Sequence, residues 1–225
     1  MTPTEPRPLT SPIMQFHMRR DTLLSLKTLG SLKKAPGAAT IALISLLLFV
    51  VTSGWQGGQI GAASKELWGF SAEHFWSGQL WLPLSASFLH ENSLQLVVNL
   101  VFLLGIATRL ERTEGSFIFA KVFLIGALLS NPLASILFSI PAAHFGLDAQ
   151  AAQSIDVGAS LGIFACIGAL YYESQYSRRM IFSLAAVCAE EVLITRDVSQ
   201  MHHLVALTLG WAVSRKMSHG ATRGA

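Results

Sequence analysis

Long apolar runs alternate along this chain with short clusters of charge, a spacing set by repeated crossing of a bilayer. Six stand out, at 37–55, 93–108, 117–139, 157–173, 180–195 and 202–215. The charges gather at the ends of these runs and do not line one face of each helix, which argues against a single large water-soluble core. The pattern predicts an all-α fold, a polytopic membrane helix bundle with six transmembrane helices. Glu91 and Arg109 flank the second run, and Glu190 and Glu191 sit near the end of the fifth, so both segments need company from other helices.

Orientation follows from the basic residues, because Lys and Arg are retained on the cytoplasmic side. With the N-terminus inside, all but Lys65 and Arg196 of the 16 Lys and Arg fall on the cytoplasmic side. The alternation holds loop after loop, and one missed helix would scramble it. The chain then divides into a cytoplasmic basic N-terminal segment at 1–36, a six-helix membrane domain at 37–215 and a cytoplasmic tail at 216–225. The N-terminal segment is too long and polar for a cleaved signal, so the first run reads as an uncleaved signal-anchor. Leu23, Leu24, Leu26, Leu29 and Leu32, interspersed with basic residues, suit either an interfacial amphipathic helix or a loosely ordered tail. The outer loop at 56–90 carries Trp55 at its edge and Trp68, Phe70, Phe75, Trp76 and Trp81 within it, aromatics that favour the headgroup region.

Composition agrees. The 225 residues are 52% hydrophobic and 13% charged, with a mean hydropathy of +0.49 and an isoelectric point near 9.1. No basic stripe interleaved with aromatics accompanies that charge, so lipid headgroups are the expected anionic partner and nucleic acid is not. Cys166 and Cys188 both lie in apolar runs, as small hydrophobes and not as a disulfide or metal framework.

The informative residues are the polar ones inside the runs. Spans two, four and six all run from outside to inside in this topology. At about 1.5 Å per helical residue, Gln95 and Asn99 lie roughly 6 and 12 Å below Glu91, Ser160 roughly 6 Å below Asp156, and His203 roughly 10 Å below Arg196. A hydroxyl, an imidazole and two carboxamides at one depth are the parts of an acyl-transfer site: nucleophile, general base and oxyanion donors. Each also has a structural explanation. A membrane serine commonly bonds its own i−4 carbonyl, Asn99 and Gln95 suit interhelical bonding, and His203 competes with a headgroup-level role like that expected of His202.

These residues resemble the rhomboid family of intramembrane serine proteases over about Trp81 to Gly210. The family's Trp-Arg and Phe-Leu-His phrases correspond to Trp81-Leu82 and Phe88-Leu89-His90, and its His-x4-His-x3-Asn motif to His90, Gln95 and Asn99, with Glu111 at the family's interval. Its Gly-x-Ser-Gly nucleophile motif corresponds to Gly158-Ala159-Ser160-Leu161, and Phe164 stands at the position of an aromatic that stacks on the histidine. The final His-x2-Gly-x3-Gly corresponds to His203, Ala206 and Gly210. The chain departs from the family at Leu82, Gln95, Leu161 and Ala206.

The resemblance implies a Ser160–His203 dyad, with Asn99 and Gln95 holding the oxyanion, Phe164, Gly158 and His90 in support, and no metal or cofactor. The implied substrates are single-span or other membrane proteins, cut near the outer end of a transmembrane segment. Ala206 keeps a small-residue face with Gly210, suited to close approach to Gly162, Ala165 or Gly168. Leu161 is expected to restrict the backbone beside the nucleophile. Leu82 and Leu161 motivate the alternative of a catalytically inactive rhomboid-like protein that binds membrane proteins. A small transporter is the third reading, weakened because Pro132 and Pro141 lack counterparts in a second half. A bacterial inner (cytoplasmic) membrane is the expected location, and the oligomeric state stays open.

Overall fold

The structure, a computed structural model, describes residues 34–53, 58–146, 153–170 and 200–221. The predicted span at 180–195, with Glu190, Glu191 and Cys188, and most of the basic N-terminal segment lie outside the described residues. Within them the chain is helical, and its only extended pairings are isolated bridges, Gln59 with Asn92 and Phe70 with Asp156.

Among the described residues, three helices are long and apolar enough to cross a membrane: α1 (Pro36–Ser53), α5 (Ser93–Glu114) and α6 (Ser116–His144). Between α1 and α5 lie three short helices, α2 (Ala62–Trp68), α3 (Ala72–Trp76) and α4 (Leu82–Ala86). The chain closes with α7 (Ser160–Leu170) and α8 (Gln200–Ala221). The large side chains on the outside of the long helices are apolar, among them Val51, Leu94, Val101 and Leu137. In water such a surface would aggregate, and in a bilayer it meets lipid.

Two long helices outrun their predicted ends. The second span was expected to stop at 108, but α5 continues to Glu114. Its C-terminal end is built from polar contacts: Arg112 Nη2 donates to Thr108 Oγ1 at 2.9 Å, and buried Glu111 caps α1. Glu111 Oε1 accepts from Gly37 N at 2.7 Å and Ser116 Oγ at 2.6 Å, and Oε2 accepts from Ala38 N at 2.8 Å. A carboxylate at a helix N-terminus satisfies donors that otherwise have no partner and meets the positive end of the helix dipole. A single residue, Gly115, turns α5 into α6 with φ +87°, which a Cβ-bearing residue adopts with strain. The third span, expected to end at 139, runs to His144 through a π-helical turn at Ser135–Ser139, just after Pro132. Proline removes a backbone donor, and the wider turn takes up the disturbed register.

The outer loop is more ordered than an aromatic-rich strip at the headgroups implies. Leu82, Phe70 and Ala86 are buried in a small core of their own. Lys65, one of two basic residues placed outside, pairs with Glu91 at 2.6 Å.

The main core forms where α7 packs between α6 and α8. Phe119, Phe123, Leu103, Ile163 and Leu207 are its large members. α7 and α8 run parallel: Ser160 meets His203 near one end, and Ser214 Oγ donates to Ala169 O at 3.1 Å near the other. Small residues permit the contact. A Cβ on Gly210 would collide with the Ala165 carbonyl, and one on Gly168 with that of Leu207. Gly162 does not share in this contact, since its open face is filled by Phe123 of α6.

Candidate functional site

The site is assembled at the N-terminal end of α7. Ser160 is the first residue of that helix, so it sits where unpaired backbone N–H groups and the positive end of the helix dipole converge. The run of chain before it is pinned at successive residues. Asp156 exchanges backbone bonds of 2.8 and 2.9 Å with Phe70, Val157 O accepts from Gln95 Nε2 at 2.9 Å, and Gly158 N donates to Ala86 O at 2.9 Å. The outer loop therefore acts as the frame for the serine.

His203 enters from α8. Its Nε2 lies 2.9 Å from Ser160 Oγ. For Nε2 to accept the serine proton, the neutral ring must carry its own on Nδ1. Nδ1 is buried with no hydrogen-bond partner among the described residues. Phe164, one helical turn below Ser160, lies against the imidazole with ring centroids 4.7 Å apart and planes inclined by 51°.

Gly158 has φ +144° and its missing side chain leaves room for two carboxamides. A Cβ there would stand 3.1 Å from Gln95 Nε2 and 3.5 Å from Asn99 Nδ2. The two amides therefore face the backbone just before the nucleophile, but they differ. Gln95 is engaged on both sides, donating to Val157 O and accepting from Glu91 N at 2.6 Å. Asn99 is buried, and its Nδ2 has no partner among the described residues. A buried donor left unpaired is costly unless something arrives to accept from it.

Leu161 does not restrict the backbone as expected. It is the second residue of α7, where a Cβ is at home, and its side chain is buried in the core. The position that needs glycine is Gly158. His90 is fully buried just before α5. Burial pushes its imidazole down to about 4, opposed by the backbone of Phe88.

His202 is buried inside the protein, 5% exposed, with Nε2 3.3 Å from Ser139 Oγ and Nδ1 3.9 Å from Asp156 Oδ2. Burial works to raise the Asp156 carboxyl, but the neighbouring imidazoles of His202 and His203 and the Asn131 side chain together hold it below the ordinary carboxylate value. Neither Asp156 nor His202 was singled out as a site residue, and the signal available was an acid four residues before Ser160 and a second histidine beside His203.

Comparison with known proteins points one way. A family model described as Rhomboid domain matches residues 77–221. Rhomboid-like protease 3 of Toxoplasma gondii is 32% identical over 102 residues, covering 45% of this chain and 34% of that protein. The matched stretch thus spans about a third of the curated relative's length. No solved structure matches.

Proposed function

The chain belongs to the rhomboid family, and on that premise we propose that this integral membrane protein is a serine endopeptidase that cuts transmembrane segments of other membrane proteins near their outer end. The observation that carries the reading is the 2.9 Å contact between Ser160 Oγ and His203 Nε2, with an unpaired amide donor facing the same backbone.

His203 Nε2 takes the proton as Ser160 Oγ attacks a peptide carbonyl. The tetrahedral oxyanion receives donors from Asn99 Nδ2 and the Ser160 N–H, with Gln95 contributing the amide proton not given to Val157. Collapse returns the proton from His203 to the leaving amine and leaves an acyl-enzyme, which water hydrolyses by the same relay. Phe164 and the packing of α8 orient the base in place of a hydrogen-bonded acid. In a six-span arrangement with the N-terminus in the cytoplasm, as in a bacterial inner membrane, the site faces substrates from the outer leaflet. Their peptide bonds become reachable only after local unwinding, because a helix shields its own carbonyls.

A fluorophosphonate probe tests the site directly. Labelling of the wild type that is lost in Ser160→Ala supports the enzyme. Absence of labelling in folded wild type supports the inactive relative suggested by Leu82 and Leu161.

A further inference from the structure

Beside the dyad lies a set of Ser139, His202 and Asp156 that the proposed mechanism does not use, the serine and histidine buried and the aspartate partly exposed. His202 and His203 are consecutive on α8, so their side chains leave the helix about 100° apart. One meets the nucleophile, and the other points toward α6 and the segment before α7. There Ser139 Oγ is 3.3 Å from His202 Nε2 and Asp156 Oδ2 is 3.9 Å from Nδ1. The π-helical turn ending at Ser139 belongs to a polar face of α6, with Asn131, Ser135 and Ser139 four residues apart and all buried. Trp76 of the outer loop joins the same face, its Nε1 donating to Ser135 Oγ at 3.1 Å.

Burial decides what this set can do. Ser139 is 2% exposed, and a hydroxyl closed off in this way has no route to a peptide bond. The three groups instead join three parts of the molecule. Asp156 is fixed by its backbone to Phe70 and stands four residues before Ser160. Ser139 belongs to α6, and His202 belongs to the turn of α8 that also carries His203. Since His203 Nδ1 meets no partner among the described residues, the placement of that turn sets where the base lies. The His202 imidazole is buried and its Nδ1 has no hydrogen-bond partner among the described residues, so the partly exposed Asp156 carboxylate 3.9 Å away is the polar group that it faces.

We propose that Asp156, His202 and Ser139 form a polar clamp that locks the first turn of α8 to the segment bearing the nucleophile and thereby positions His203 for Ser160. The proposal rests on the reading of Ser160 and His203 as the catalytic dyad. The three clamp side chains are positioning residues and do not touch substrate.

The test compares His202→Leu, which cannot bond, with His202→Gln, whose carboxamide still donates and accepts, alongside Asp156→Asn and Ser139→Ala, all as full chains in detergent. Cleavage of a model single-span substrate is read as separate kcat and KM values, and hydrogen exchange is read at the amides of 200–204. His202→Leu is expected to lower kcat by about tenfold to a hundredfold, the scale set by a misplaced catalytic group, with KM within about twofold. His202→Gln should recover most of that loss, and exchange at 200–204 should rise in His202→Leu and Asp156→Asn. Unchanged kcat and exchange in folded His202→Leu and Asp156→Asn would overturn the clamp. So would a loss that His202→Gln fails to repair, or fluorophosphonate labelling of Ser139 in a Ser160→Ala background. A wild type that does not cleave contradicts the proposed function instead, and exchange at 200–204 then decides the clamp alone.

Discussion

At Asn99 a carboxamide nitrogen is buried without a partner among the described residues, 3.5 Å from the place a Gly158 side chain would fill. A group in that state contributes little to the resting fold and much to a transition state that brings it an oxyanion. Asn99→Ala is therefore expected to lower kcat by about a hundredfold to a thousandfold while the melting temperature stays near that of the wild type. Steady-state kinetics with a parallel thermal melt check this, and near-normal turnover in well-folded protein would remove Asn99 from the site. His90 gives a prediction in pH. Its folded-state value, about 4, lies below the ordinary 6.5, so the unfolded chain takes up the proton first. The stability tied to a neutral His90 is present above about pH 6.5 and is lost as pH falls toward 4. Thermal melts across that window should show a decline that His90→Leu flattens. Ser160, His203 and Asn99 were legible in the sequence because each breaks the rule that membrane interiors are apolar. His202 was not, since a histidine near a helix end looks the same whether it faces lipid headgroups or an aspartate of a neighbouring segment.

Among the elements, the approach of α7 to α8 carries the site. Gly168 and Gly210 let each helix rest on the other's backbone carbonyls, which are harder to displace than the end of a side chain. Gly210→Val should destabilise the protein by about 1–3 kcal/mol and disturb the Ser160–His203 contact, read as lower kcat along with a lower melting temperature. Glu111 performs the corresponding task at the inner face. Glu111→Ala strips three hydrogen bonds from the junction of α1, α5 and α6, with an expected cost of about 1–3 kcal/mol. That loss should appear in denaturation and leave kcat largely intact, because the junction lies at the opposite end of the helices from Ser160. Small-residue spacing announced the α7–α8 contact in advance, through Ala165, Gly168 and Gly210. It also suggested Gly162, which the structure gives to Phe123, because a small residue does not say which neighbour fills the space it leaves. The π-helical turns at Leu103–Ala107 and Ser135–Ser139 were not legible, since a run of apolar residues has the same pattern whether the helix is regular or widened by one residue.

For the molecule as a whole, direction of travel is the property that matters most. Gln95 and Asn99 on α5, Ser160 on α7 and His203 on α8 stand near the starts of their helices, and those starts gather at one end of the bundle. The ends of the apolar runs and the sidedness of Lys and Arg carried that arrangement in the sequence, because a bilayer imposes both. The outer loop's task was hidden, since backbone bonds such as Gly158 to Ala86 and Asp156 to Phe70 leave no mark on side-chain chemistry. The central claim, that Ser160 and His203 cleave a peptide bond within the membrane, is tested most directly by one comparison. A model single-span protein is incubated with wild type, Ser160→Ala and His203→Ala, and its fragments are counted. Cleavage by the wild type that disappears in both variants is the predicted result, and cleavage that continues unchanged in both would contradict it.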